Sequence, residues 1–138
     1  MNRKDCIQKG VEMLLYGLLI IFFSYTLANK SLLFNDFLIN IAKSGLFEGN
    51  TVYAVAYFAL LAEATSVVLL IYKKRKGLFV SLGMVISFTI YILILHFNNK
   101  YEVCGCGGIL NGLLFEYHLS INLLLIIIII YLIKQDER

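Results

Sequence analysis

Charge is scarce in this chain, and proline is missing altogether. Asp, Glu, Lys and Arg make up 15% of the 138 residues, whereas a soluble domain carries about 25%. So few charges cannot cover a water-facing surface. With an apolar share of 60% and a mean hydropathy of +0.83, the scarcity points to a membrane protein. Without proline, no helix need be kinked by it. Nucleic-acid binding requires basic residues on a solvated face. Here the net charge is only +3 and the aromatics lie inside apolar runs, so that class is excluded. The length allows one domain, taken as residues 1–138.

What is present is four long apolar segments, at about 11–28, 52–72, 78–97 and 116–133. A helix crosses a bilayer in about 20 residues at 1.5 Å each. The last segment is short unless it takes in a turn from Phe115–His118. Its Ile126–Ile130 run has strand propensity, but an open strand in lipid leaves its backbone unpaired, so helix is expected. Between the first two spans, "SLLFNDFLINIAKSGLFEG" sets Leu33, Phe34, Phe37, Leu38, Ile41 and Ala42 at helical spacing, with Asn35, Asp36, Asn40 and Lys43 between them. That pattern predicts an amphipathic segment on the membrane or over the outer end of the bundle; a partly ordered loop is the alternative. The expected fold is all-α, a four-transmembrane-helix bundle with an amphipathic interfacial segment between helices 1 and 2.

Orientation follows from the basic residues. Arg3, Lys4, Lys9, Lys73, Lys74, Arg75, Lys76, Lys134 and Arg138 fall at one end of the expected bundle, and Lys30, Lys43 and Lys100 at the other. Nine against three places both termini in the cytoplasm. The loop carrying Cys104 and Cys106 then lies outside it. Residues 1–28 could instead be a signal peptide ending near Thr26 and Ala28, but the apolar run is about 18 residues against 7–15 for a signal core, which favours an uncleaved span.

The stretch "YEVCGCGGIL", residues 101–110, holds two cysteines separated by Gly105. Outside the cytoplasm they meet an oxidising compartment. A bridge between them would close a loop worth only about 1.6 kcal/mol, against about 3 for fifteen residues. Strained, exposed bridges are the labile ones. A dithiol that cycles therefore explains the pair better than a structural staple. Gly107 and Gly108 would let a partner's backbone approach the sulfurs, or would simply be turn residues. A metal reading competes, because His96 and His118 could join the two cysteines in a Cys2His2 set, although the spacing matches no finger or ribbon. Cys6 falls on the cytoplasmic side, beyond reach of the pair.

Two polar features lie within the spans. Glu63 stands at the centre of the second, where a charge costs about 2.5–3.5 kcal/mol. It is read either as a proton relay or quinone-side acid, or as a hydrogen bond locking helix packing through Ser87, Thr89 or Tyr91. His118 and Asn122 share a helix face in "EYHLSIN". His118 could lower a thiol pKa in the cysteine loop or anchor the helix end, and Asn122 should bond a neighbouring helix.

"CGCGGIL" followed by "EYHLSIN", with "AEATSVVLLIYKKRKGLFVS" and "FTIYILIL" upstream, resembles the MauE/DoxX family of redox-associated membrane proteins, especially the Bacteroidetes forms. The likeness covers about residues 11–133. Members often carry Trp where Phe115 stands, and a Gly-x-x-Lys near the end of the first span, where this chain has Tyr25 and Ala28 with Lys30 nearby. The resemblance implies a four-helix bundle laid out like the quinone-linked disulfide-forming enzymes related to vitamin K epoxide reductase. It implies a bacterial inner-membrane thiol–disulfide redox protein, with Cys104 and Cys106 cycling on the periplasmic side against a thioredoxin-like or secreted cysteine-containing partner. His118 and Glu63 would be the supporting residues and a quinone the candidate cofactor, though no quinone signature is visible in the sequence. Methylamine as substrate is not implied. The rival functions are a non-enzymatic membrane subunit or assembly factor, and a Cys/His metal-handling protein.

Overall fold

The computed structural model describes residues 3–100 and 114–137. Five helices account for nearly all of them: α1 (Arg3–Leu32), α2 (Phe34–Lys43), α3 (Asn50–Tyr72), α4 (Lys74–Phe97) and α5 (Phe115–Asp136). Four of these, α1, α3, α4 and α5, are long and apolar enough to cross a membrane. Among the described residues there is no strand. The Ile126–Ile130 run lies inside α5, which begins at Phe115, so the fourth span gains the extra turn it needs.

In spans this apolar, the apolar residues do not mark the inward face; the small and polar ones do. On α1 the buried side chains are Leu19, Phe23, Thr26 and Lys30, at steps of four, three and four. On α3 they include Glu63, Ser66 and Leu70, and on α5 His118, Asn122, Ile129 and Leu132. Each set is one stripe on a helix of 3.6 residues per turn. Leu19, Phe23, Leu70, Leu78, Met84, Val85, Ile129 and Leu132 form the shared core. Helix α3 lies against α1 and α4, and α5 against α4 and α1, which closes the bundle. The outward faces, with Leu14, Ile21, Phe58, Ile90 and Ile127 exposed, are apolar and suit contact with lipid.

Helix α2 is amphipathic, as its spacing predicts. Ile41 is buried against Val52 and Ala56 of α3, with Phe34, Phe37 and Leu38 around them. It therefore packs over the bundle at the end where α1 and α4 finish and α3 and α5 begin. Gly45 and Gly49 turn the chain from α2 into α3 with φ of +67° and +57°, a region open to glycine at little cost.

The opposite end is tied more tightly. Only Lys73 separates α3 from α4. Leu70 carries one of the last four carbonyls of α3, the group left over at a helix end, and the Tyr16 hydroxyl donates to it. Lys74 pairs with Asp136 at 3.2 Å and Arg75 with Glu137 at 3.1 Å. These exposed pairs contribute about 0–1 kcal/mol each. Gly77 matters more, because a Cβ there would sit 2.7 Å from the Leu69 carbonyl carbon and overlap the Leu70 backbone. Gly77→Val should therefore lower stability by about 1–3 kcal/mol, read as the thermal midpoint in detergent. Gly83→Ala, with nothing within 4 Å of the added atom, should leave the midpoint unchanged or raise it. Equal effects at the two glycines would show that the α3–α4 contact does not depend on Gly77.

Candidate functional site

The inward stripes of α1, α3 and α5 bring their polar residues together below α2. Glu63 is 1% exposed and Lys30 4%. Lys30 Nζ lies 3.0 Å from Glu63 Oε2 and 3.3 Å from Oε1, and the Thr26 hydroxyl donates to Oε1 at 2.5 Å. The carboxyl group thus receives three bonds, all from α1. Lys30 also sits 4.3 Å over the Phe88 ring of α4 and 5.7 Å from that of Phe37 on α2, where the negative faces of aromatic rings favour a cation. One ammonium group therefore touches α2, α3 and α4 while standing on α1.

This corrects the sequence reading at two points. By its position Lys30 counts among the charges of the outer end, but it is the buried countercharge of Glu63. The expected locking partners of Glu63 on the third span are not its partners. Thr89 instead accepts from Asn122 Nδ2 at 3.2 Å and donates to the Val85 carbonyl at 2.7 Å. Ser87 donates to the Gly83 carbonyl. Asn122 does bond a neighbouring helix. Lys30 could have been found in the sequence from its register, since it continues the stripe of Leu19, Phe23 and Thr26.

His118 is 2% exposed, in the first turn of α5 and one turn before Asn122. Both side chains line a cavity of about 30 Å³ shared with Thr26, Lys30 and Glu63 and walled by Phe22, Phe23 and Phe88. That is the room of about one water molecule among enough polar partners to hold it. His96 is exposed and stacks on Phe115 at 3.9 Å with 11° between the planes, which joins the last turn of α4 to the first of α5.

Cys104 and Cys106, with Gly105, Gly107 and Gly108, lie outside the described residues. The segment that carries them leaves α4 and enters α5 at this end of the bundle, the end nearer His118. Among the described residues no three His, Cys, Asp or Glu side chains are grouped as metal ligands. Cys6 is exposed near the start of α1, at the far end.

Beside the polar cavity, α2, α3 and α4 enclose a larger chamber of about 370 Å³. It is lined by Phe37, Phe47, Phe58, Ala59, Ala62 and Met84 among others, and Lys30 and Phe88 line both spaces.

Fold and site together define a multi-pass helical membrane protein with an acid–base pair buried in its bundle. The chain belongs to the MauE family: the model for methylamine utilisation protein MauE matches residues 8–135, nearly the whole chain. No curated protein and no solved structure matches it.

Breaking one half of a buried pair leaves the other charge uncompensated, at about 3–5 kcal/mol. Lys30→Met should therefore lower the thermal midpoint in detergent sharply, and Lys30→Met/Glu63→Met should recover most of the loss. A double variant as unstable as the single one would show that the two residues are not energetically coupled.

Proposed function

We propose that the protein is a MauE-like thiol–disulfide redox protein of the bacterial inner membrane, working through Cys104 and Cys106. The observation that carries this reading is the buried Lys30–Glu63–His118–Asn122 cluster, placed at the end of the bundle to which the cysteine segment is joined. Ionisable groups inside a membrane mark function by default. Membership of the MauE family and the Cys-Gly-Cys spacing support the same reading.

Exchange would proceed by attack of a thiolate on a disulfide sulfur. A mixed disulfide forms and one thiolate leaves; the second thiol of the attacking pair then displaces the first. Two electrons and two protons move from one dithiol to the other partner, whichever side begins reduced. The partner would be a thioredoxin-like protein or a secreted cysteine-containing substrate. His118 would act as a positioning residue that favours the thiolate.

Orientation belongs to the same proposal. With Lys30 withdrawn into the bundle, the basic residues at the ends number nine against Lys43 and Lys100, a bias that supports a periplasmic cysteine loop.

A membrane-impermeant maleimide should label Cys104 and Cys106 from the periplasmic side after reduction, and Cys6 only after lysis. Cys106→Ser should trap a mixed disulfide with the partner. His118→Ala should slow the exchange about tenfold, the effect of one unit of thiol pKa, and shift the pH profile of the rate upward. A pair that never changes redox state in cells, or full function in Cys104→Ser/Cys106→Ser, would leave a non-enzymatic assembly factor instead.

A further inference from the structure

The turn between α3 and α4 carries Lys73, Lys74, Arg75 and Lys76 in succession, and all four are exposed. A single residue joins the two spans, so the turn has no slack with which to leave the membrane surface. Helix α3 has 23 residues and α4 has 24, each about 35 Å of helix against a hydrocarbon core of about 30 Å. The four charges are therefore held at the depth of the lipid headgroups. The basic residues at the start of α1 are placed differently. The Tyr16 ring lies beside Lys74, and Lys9 stands about 10 Å of helix beyond Tyr16. Lys4 stands farther out again.

Nearby acids neutralise only half of the turn. Lys74 pairs with Asp136 and Arg75 with Glu137. Among the described residues, neither Lys73 nor Lys76 has an ion pair. These two occupy the N-cap and the third position of α4, a spacing that makes side chains neighbours on one helix face. Their placement is unfavourable for α4 itself. Its first turn holds no acid, and the positive end of the helix dipole repels cations there. An anion between Lys73 and Lys76 would relieve both repulsions. Ile71 and Tyr72 on one side of the basic run and Phe79 on the other are exposed. A hydrated acidic partner would leave that apolar surface uncovered, whereas acyl chains would cover it.

From this we infer that the α3–α4 turn binds an anionic phospholipid, with its phosphate between Lys73 and Lys76 and its acyl chains along Ile71, Tyr72 and Phe79. The site is independent of the thiol chemistry proposed above. Lys73 and Lys76 supply the charge, and the short connection fixes that charge at headgroup depth.

The test is equilibrium binding of dioleoyl phosphatidylglycerol to the full chain in a neutral detergent, with dioleoyl phosphatidylcholine and inorganic phosphate as controls. One equivalent of phosphatidylglycerol should bind saturably, at least about tenfold tighter than phosphatidylcholine, and should raise the thermal midpoint. Lys73→Gln/Lys76→Gln should weaken binding about 25-fold, about fivefold for each charge, and should lose the rise in midpoint. Lys4→Gln/Lys9→Gln removes the same charge from the same end of the bundle, about a Debye length or more away, and should bind within about twofold of the wild type. Equal affinity for the two lipids, or equal weakening by the two double variants, would overturn the proposal. So would displacement of the lipid by millimolar inorganic phosphate, which would make the turn a site for the free ion.

Discussion

A charged pair held inside an apolar bundle constrains everything around it. The Lys30 ammonium and the Glu63 carboxyl group are almost wholly removed from solvent, and taking two ions out of water costs several kcal/mol each before their attraction offsets it. The surroundings supply what compensation they can. Thr26 adds a third bond to the carboxyl group, and Phe88 turns a ring face to the ammonium. Helix α1 must run on to Leu32 for Lys30 to reach Glu63 from the same face as Leu19 and Phe23. Helix α2 then closes over the pair, with Phe37 near the ammonium and Ile41 against Val52 and Ala56. The amphipathic segment is thus a lid on a buried charge.

The fold was legible because lipid simplifies the choice. Where no water can bond the backbone, a long apolar run becomes a helix whatever its side-chain propensity, and Ile126–Ile130 obeys this. The amphipathic stretch after the first span was readable for a different reason. Its polar residues at Asn35, Asp36, Asn40 and Lys43 give it a polar face, and Ile41 lies on the opposite, buried one. Inside the spans such contrast vanishes, and the rotation of each helix cannot be read from its apolar residues.

The site was legible only in part, for the same reason. Glu63, His118 and Asn122 stood out as polar residues in apolar runs, and the structure brings all three to one cavity. Lys30 did not stand out, because a lysine near the end of a span reads as a flanking charge under a rule that counts sequence position. Its register tells otherwise, since Leu19, Phe23, Thr26 and Lys30 repeat at steps of four, three and four. Without Lys30, the sequence points to a partner for Glu63 on the third span, whereas it stands on the first. The cysteine pair was legible as chemistry from its spacing, and its geometry lies outside the described residues.

Packing alone does not require the pair. Helices α1 and α3 already meet through Leu19, Phe23 and Leu70 and through the Tyr16 bond to the Leu70 carbonyl. Apolar residues of similar volume in place of a buried ion pair are often as stable or more so. Local rules broken at a cost tend to mark function. Here the breach is specific in its placement, because Lys30 and Phe88 form the wall between the polar cavity and the apolar chamber. Lys30 borders the cavity of Glu63 and His118 on one side and the chamber on the other. A bundle held by apolar contacts alone would place no charged group between the two spaces.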